Sequence, residues 1–326
     1  MAQKIRFGVI GTNFISDRFC EAVALGDVAE VVAVCSREQA TAHAFAQKYG
    51  IPFAFSERKA FLASKEIDAV YIATPNALHA EHTKEALCAG KHVLCEKPMA
   101  TSLEELKEMK ACAKANGKLL LEAMRPYFDP AVQAISTFLP KLGTLRYARL
   151  EFSQYSSRYD RFKAGEVLRA FDPSFGNAAL MDIGIYPISV AVMLFGAPVG
   201  VKGTSLFLAN GFEGLGSATL TYKDMLVDIV YSKITQGYTP SVVVGEQGTL
   251  TVDSMTAPAE IILAKRDGKT EKMPCTPHQN NMVYEVKAFC EAIKEGASEL
   301  DALAYTEQAM RIVQTLLDAN GISFNS

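Results

Sequence analysis

Seven cysteines are scattered through the 326 residues, and no two of them form a CxxC pair. A disulfide framework or a zinc ribbon needs regular, paired spacing, so both are excluded and the thiols read as reduced. Neither sign of charge is in excess, since 33 basic and 36 acidic side chains leave a net charge of −3. A strongly basic nucleic-acid binder and an acidic disordered tail drop out together. Glycine and proline, at 22 and 13 residues, are too few for a collagen-like or low-complexity chain. GxSxG, HExxH and the phosphate-binding P-loop are all missing, which removes the common hydrolase, zinc-protease and kinase-like readings. Met1 to Gly11 enters a strand-like run directly, without a charged, then apolar, then small-residue leader, so a cytoplasmic location is expected. Long apolar runs are scarce as well. The stretch 183–201 is uncharged over a membrane-spanning length, but Gly184, Pro187, Gly196, Pro198 and Gly200 break it. Only 188–195 runs unbroken, so a buried helix is expected there and no membrane partner.

What remains is an ordinary globular composition, 49 % hydrophobic, long enough for about two domains at roughly 150 residues each. In the first third, short β-branched runs alternate with helix-period segments, the pattern of a doubly wound parallel sheet. Strands are expected at 5–10, 28–35, 51–54, 69–73, 92–95 and 118–121, and helices at 14–25, 38–49, 58–63, 78–89 and 103–116. The last helix opens with Ser102-Leu103-Glu104-Glu105, a capping box, and closes at Gly117. Beyond about Ala123 the rhythm becomes that of an antiparallel α+β domain. A helix at 130–139, a strand at 143–154, a polar segment 155–177 and the buried helix precede strands at 204–208, 216–222, 226–233, 241–244, 249–252 and 260–264. Asp267-Gly268 marks a hairpin turn, and helices at 282–295 and 305–319 close the chain.

The first strand runs into Gly11-Thr12-Asn13-Phe14-Ile15-Ser16. A GxGxxG fingerprint requires a tight turn, close backbone approach to a pyrophosphate and close helix-to-strand packing. Only Gly11 is kept; Asn13 and Ser16 take the other two places. Asn tolerates positive φ better than most residues and Ser is small, so both replacements are workable. By itself this turn is as much a plain strand-to-helix connection as a cofactor site. At the end of the second strand, Cys35-Ser36-Arg37 presents a hydroxyl and a guanidinium where NAD sites carry an acid. Both suit a 2′-phosphate, so NADP is favoured over NAD. The plainer reading makes Ser36 an N-cap and Arg37 a solvated residue.

Two further turns follow the fourth and fifth strands: Thr74-Pro75-Asn76-Ala77-Leu78-His79 and Glu96-Lys97-Pro98-Met99-Ala100. Ligands bind at the carboxyl ends of parallel strands, so both turns face the cofactor crevice, as do Glu122 and Arg125 after the sixth strand, which are expected to meet the substrate. The cofactor-binding residues expected are therefore Gly11, Thr12, Asn13, Phe14, Ile15, Ser36, Arg37, Thr74, Pro75, Asn76, His79, Glu96 and Lys97. His79 and His82 lack a third ligand, so no metal site is expected and both are placed on a helix surface. Tyr155, Arg158 and Tyr159 in the polar segment suit a polyol, reading hydroxyls and stacking a ring; a solvated loop or a subunit contact fits them equally well.

Taken together, Gly11, the Thr74-Pro75-Asn76 turn with His79, Gly90-Lys91-His92-Val93, Glu96-Lys97-Pro98 and Met181-Asp182-Ile183-Gly184-Ile185-Tyr186 resemble the Gfo/Idh/MocA oxidoreductases. The resemblance covers nearly the whole chain. It is nearest to the branch of dimeric dihydrodiol dehydrogenase, NADP-dependent D-xylose dehydrogenase and glucose-fructose oxidoreductase, whose second motif ends in Tyr as at Tyr186. It implies an α/β fold with an N-terminal Rossmann domain, residues 1–124. It further implies a C-terminal α+β domain with an open, mostly antiparallel sheet, residues 125–326, whose closing helices are free to pack back on the first. It implies NAD(P) between the domains and a homodimer or homotetramer. It also implies that Lys97 binds the reacting oxygen, Tyr186 exchanges its proton and Asp182 organises the pocket. Asn13 in place of a glycine and Gly176-Asn177-Ala178 before Asp182 depart from the family pattern.

Chemistry agrees with those roles. Hydride transfer at a carbinol carbon must be matched by a proton at its oxygen. A tyrosine, with a free pKa of about 10, needs a nearby cation such as Lys97 to act as a base at neutral pH. Asp182 and Tyr186 are four apart and share one face of a helical turn; the plainer alternatives are an interior Tyr186 and an N-capping Asp182. The function expected is an NADP-preferring oxidoreductase acting on CH–OH groups of a sugar, cyclic diol or related polyol, with a non-catalytic NAD(P)-binding sensor as the alternative.

Overall fold

Strands buried on both faces need helices above and below them, and the N-terminal third supplies both. In the computed structural model, which describes residues 3–166 and 168–324, six strands form an all-parallel sheet. They are β1 (Ile5–Ile10), β2 (Ala29–Cys35), β3 (Phe53–Phe55), β4 (Ala69–Ile72), β5 (His92–Glu96) and β6 (Leu120–Ala123), in the order β3-β2-β1-β4-β5-β6. That order reverses between β1 and β4, the switch point where doubly wound sheets bind their ligands. Between the strands run α1 (Phe14–Leu25), α2 (Gln39–Tyr49), α3 (Arg58–Ala63), α4 (His79–Cys88) and α5 (Leu103–Asn116). At the start of α5 the Ser102 hydroxyl accepts from Glu105 N–H at 3.2 Å. Glu105 in turn takes both the N–H and the hydroxyl of Thr101, each at 2.8 Å.

The chain divides into two compact units. The first takes the chain up to Arg125 together with Gln279–Ala304; the second takes Pro126–His278 and the chain from Tyr305 on. Helix α9 (Met282–Lys294) is thus part of the parallel-sheet unit, where it packs on α1 and brings Phe289 within 5.9 Å of Phe7. The order of elements between is α6 (Pro130–Phe138), β7 (Leu145–Ser153), α7 (Tyr159–Lys163), α8 (Ile185–Phe195) and seven more strands.

Those strands are β8 (Gly200–Phe207), β9 (Glu213–Thr221), β10 (Leu226–Ser232), β11 (Ser241–Gly245), β12 (Gly248–Val252), β13 (Glu260–Lys265) and β14 (Thr270–Pro274). With β7 they make a sheet in the order β14-β13-β12-β11-β7-β10-β9-β8, antiparallel except where β10 pairs with β7. β8 and β9 begin earlier than expected because glycines stand in them, which weakens the strand signal. Gly216 is required there: an added Cβ would strike the Tyr231 hydroxyl. β14 is the arm that the Asp267-Gly268 turn returns, and the final helix, α10 (Asp301–Ala319), starts four residues before the expected point. One face of the sheet, with Leu150, Leu220, Ile229, Val243 and Leu250, is buried, and α8 lies against β7 and β10. By length and composition the stretch Pro173–Phe195 passes as a membrane span, but 78 % of its apolar window is buried in this unit. At 11 residues α8 is roughly 16 Å long, about half a hydrocarbon thickness.

Candidate functional site

Gly11 ends β1 with φ 107°, a conformation that favours glycine, and a Cβ there would collide with the Ala73 carbonyl. Its N–H donates to the Cys35 carbonyl at 3.0 Å, while Ala73 N–H donates to the Ile10 carbonyl at 2.9 Å. The ends of β1, β2 and β4 therefore meet at one glycine. Asn13 does not use its tolerance of positive φ: it is extended at φ −91°, and among the described residues only glycines have positive φ. Its side chain works as a cap instead. Oδ1 accepts from Ile15 N–H at 2.9 Å and Ser16 N–H at 3.3 Å, and Nδ2 donates to the Ala73 carbonyl at 2.8 Å. The positive end of α1 is thereby tied to the end of β4, where a phosphate is favoured. Ser16 is wholly buried, as a small residue at a close helix-to-strand contact should be, and Phe14 is exposed.

Helix α2 begins at Gln39 with Glu38 before it, so Ser36 is not its N-cap. Ser36 N–H donates to the Phe55 carbonyl at 3.1 Å, and Arg37 is exposed and pairs with no acid among the described residues. A hydroxyl and a solvent-facing cation at the carboxyl end of β2 fit an anionic 2′-phosphate.

From Val93 to Ala100 every residue is buried except Lys97, which is half-buried. Three buried side chains hold the backbone of its turn. Glu96 Oε2 accepts from Lys97 N–H at 3.3 Å, His79 Nδ1 lies 2.8 Å from the Pro98 carbonyl, and Glu122 Oε1 accepts from Met99 N–H at 2.9 Å. The Lys97–Pro98 peptide is cis. Tyr71, stacked on Phe19 with ring centroids 3.8 Å apart, donates its hydroxyl to Glu96 Oε1. Burial pushes the Glu96 carboxyl up, opposed by that hydroxyl and by Lys97. These positions correct two expectations. His79 and His82 are buried, not on a helix surface, and the second ring nitrogen of His79 faces the Thr74 carbonyl at 2.8 Å. Glu122 is buried beneath the turn rather than open to a substrate, while Arg125 Nη1 donates to Asn281 Oδ1 at 3.4 Å. Behind them α9 inserts Glu285, wholly buried, with no hydrogen-bond partner for either oxygen among the described residues. Burial, then the like charge of Glu96, pushes it well above the ordinary carboxyl range.

In the second unit, Leu180–Gly184 forms a π-helical turn that leads into α8. Such turns are rare and frequently functional. Asp182 lies inside it, so it is not an N-cap, and its carboxylate pairs with Lys233 Nζ at 2.8 Å. The lysine side chain is 8 % exposed and the aspartate 38 %. Lys233 Nζ also donates to the Ala170 carbonyl at 3.2 Å and sits over the rings of Phe171 and Phe212 at 5.3 and 5.5 Å. Tyr186, on the first turn of α8, is buried, its ring edge-on to Phe152 at 5.4 Å. Buried Glu213 holds the turn from beneath, accepting from Leu180 N–H at 2.7 Å, the Ser205 hydroxyl at 2.6 Å and the Tyr231 hydroxyl at 2.8 Å. Burial pushes its carboxyl up. Gly184 leaves room for the Tyr231 ring, which a Cβ would approach to 2.9 Å.

The polar segment joins this cluster. Tyr155 donates to Asp160 at 2.6 Å and meets Tyr159 edge-on at 5.5 Å; Tyr159 leans on Phe171 at 5.6 Å. Rings thus lead from Tyr155 to the cation that holds Asp182. Arg158 is exposed, and its guanidinium pairs with no acid among the described residues. Asn177, at the interrupted glycine run, donates to the carbonyls of Arg169 and Asp172 at 2.7 and 3.3 Å, bracing the loop.

Comparison with known proteins accords with this fold. Residues 5–124 match the family model of the oxidoreductase family with NAD-binding Rossmann fold, and residues 140–251 match the GFO/IDH/MocA C-terminal domain. Over 295 residues, 90 % of each chain, the sequence is 43 % identical to scyllo-inositol 2-dehydrogenase (NADP(+)) IolU of Bacillus subtilis (strain 168). The chain belongs to the Gfo/Idh/MocA oxidoreductases. Within that family it is 28 % identical over 337 residues, 98 % of each chain, to mouse trans-1,2-dihydrobenzene-1,2-diol dehydrogenase. KijD10, a 3-ketoreductase from Actinomadura kijaniata solved with NADP and TDP-benzene, matches it with a TM-score of 0.87 at 25 % identity over 98 % of each chain. This Gfo/Idh/MocA chain is accordingly an NAD(P)-dependent oxidoreductase, as its motifs imply. Four residues of its two turns escape a reading of sequence alone: Tyr71, Glu285, Glu213 and Lys233. Each is a polar side chain in or beside an apolar run, and nothing local in the sequence marks what surrounds it.

Proposed function

We propose that this enzyme prefers NADP and interconverts a CH–OH and a carbonyl group on a polyol, an inositol, other sugar-like alcohol or cyclic diol. Lys97 holds the reacting oxygen, Tyr186 exchanges its proton, and Asp182, itself held by Lys233, orders the groups around it. The observation that carries this reading is Lys97: a single accessible cation in a buried turn at the carboxyl end of β5, braced on three sides. Such a charge would polarise a carbonyl or stabilise an alkoxide. The nicotinamide, when bound, supplies or accepts the hydride. Gly11, Thr12, Asn13, Phe14 and Ile15 border its diphosphate, Ser36 and Arg37 take the 2′-phosphate, and Thr74, Pro75 and Asn76 line the same strand ends. His79 and Glu96 act by positioning. Tyr155, Arg158 and Tyr159 contribute to polyol recognition. The relatives named for NADP, scyllo-inositol and a dihydrodiol support the cofactor and the substrate class. We assign residues 1–124 to the cofactor, with Gln279–Ala304 packed on that unit, and the remainder to substrate and self-association, in a cytoplasmic homodimer or homotetramer; light scattering on the purified protein tests the last.

The deciding experiment follows NADPH formation or consumption across inositols, aldoses, ketoses and cyclic diols. Positioned acid/base groups contribute about 10²- to 10⁴-fold, so Tyr186→Phe and Lys97→Ala should lose turnover on that scale, and Tyr186→Phe should keep NADP binding by thermal shift. Full turnover in either variant on a true substrate refutes the assignment.

A further inference from the structure

Cys88 closes α4, Cys112 lies near the end of α5, and the two helices pack together. Their Sγ atoms are 3.6 Å apart. A disulfide holds its sulfurs at about 2.05 Å, so bond formation asks the two sulfurs to close by about 1.5 Å. The pair is also reachable, since Cys88 is exposed and Cys112 half-buried, whereas Cys20, Cys35, Cys95 and Cys290 are buried. Cys275 belongs to the second unit. We propose that Cys88 and Cys112 are a reversible oxidation site that exchanges with small disulfides of the glutathione class.

Exposed Cys88 reacts first: its thiolate attacks one sulfur of the small disulfide, whose S–S bond breaks and releases one small thiol. Cys112 then gives its proton to solvent and attacks Cys88 Sγ, expelling the second small thiol. Two protein thiols are oxidised to one disulfide and one small disulfide is reduced to two thiols. Burial and the neighbouring Cys88 hold the Cys112 thiol up, which orders the two steps. Asn116 Nδ2 donates to Cys112 Sγ at 3.6 Å and assists the second by supporting the thiolate. The closed loop contains β5 and the whole Lys97 turn. Oxidation would therefore staple the segment that carries Lys97, independently of whether Lys97 has the part proposed above.

The test equilibrates the full chain with oxidised glutathione, unfolds it in denaturant with excess alkylating reagent so that the buried thiols react as well, and maps the products by mass spectrometry. The expected product has Cys88 joined to Cys112, five of the seven thiols alkylated, and a melting temperature raised by about 5 °C that reverts with reductant. Cys88→Ser and Cys112→Ser should each abolish the bond, and Cys275→Ser should not. Glutathione retained on Cys88, or seven alkylated thiols after equilibration, would overturn the proposal.

Discussion

Asn13 and Arg37 show how much a single side chain decides at a cofactor turn. A glycine at position 13 would leave Ile15 and Ser16 N–H groups uncapped, whereas the asparagine satisfies both and reaches Ala73 besides. N-cap loss to alanine costs about 1 kcal/mol, and loss to glycine only a few tenths. Asn13→Ala should therefore lower stability in urea by about that amount and Asn13→Gly by much less; equal losses would mean that the cap is not what the asparagine contributes. Arg37 is a sharper case. A hydrogen bond to a charged group contributes about 1.5–3 kcal/mol, so Arg37→Ala should weaken NADP roughly 10- to 100-fold and leave NAD unchanged. Parallel titrations with the two cofactors measure the ratio, and an equal loss for both would place the 2′-phosphate elsewhere.

The turn around Lys97 is an element in its own right, set by buried groups from four parts of the parallel-sheet unit: β4, β5, β6 and the start of α4. Glu122→Ala would leave Met99 N–H buried without this acceptor, at about 1–3 kcal/mol, and loosen the lysine; Glu122→Gln keeps an oxygen in place. The expected result is a fall in kcat in the alanine variant, with the KM for NADP unchanged and the glutamine variant largely restored. A loss of stability without any change in kcat would give Glu122 a merely structural part. Strand β5, the Lys97 motif and the capping of α5 were legible because each is local: a short apolar run, a Lys-Pro at a strand end, a Ser three residues before a Glu. Tyr71 and Glu122 were not, because the bonds that give them meaning span 25 and 23 residues. The π-turn at Leu180–Gly184 was illegible for a different reason. It differs from an α-helix by one inserted residue, and Glu213 and Tyr231 impose it from β9 and β10.

For the whole molecule, these buried acids make stability depend on pH in an unusual sense. Glu96, Glu213 and Glu285 all have folded pKa values raised by burial, against an ordinary glutamate value near 4.5. Between that value and the folded one, the native chain holds protons that the unfolded chain has released. Stability is then fully present below about pH 4.5 and falls as pH rises through the window, by at most about 1.4 kcal/mol per pH unit for each group. Glu285 is the extreme member, because it is wholly buried, Glu96 and Glu122 face it as like charges that Arg125 offsets only in part, and among the described residues neither of its oxygens has a hydrogen-bond partner. Methionine matches its length without a charge, so Glu285→Met should raise the melting temperature, and the gain should widen as pH rises from 4.5 toward neutrality. A gain that stays constant across that range would show that Glu285 keeps one protonation state in the folded and unfolded chain alike, and that packing alone sets the difference.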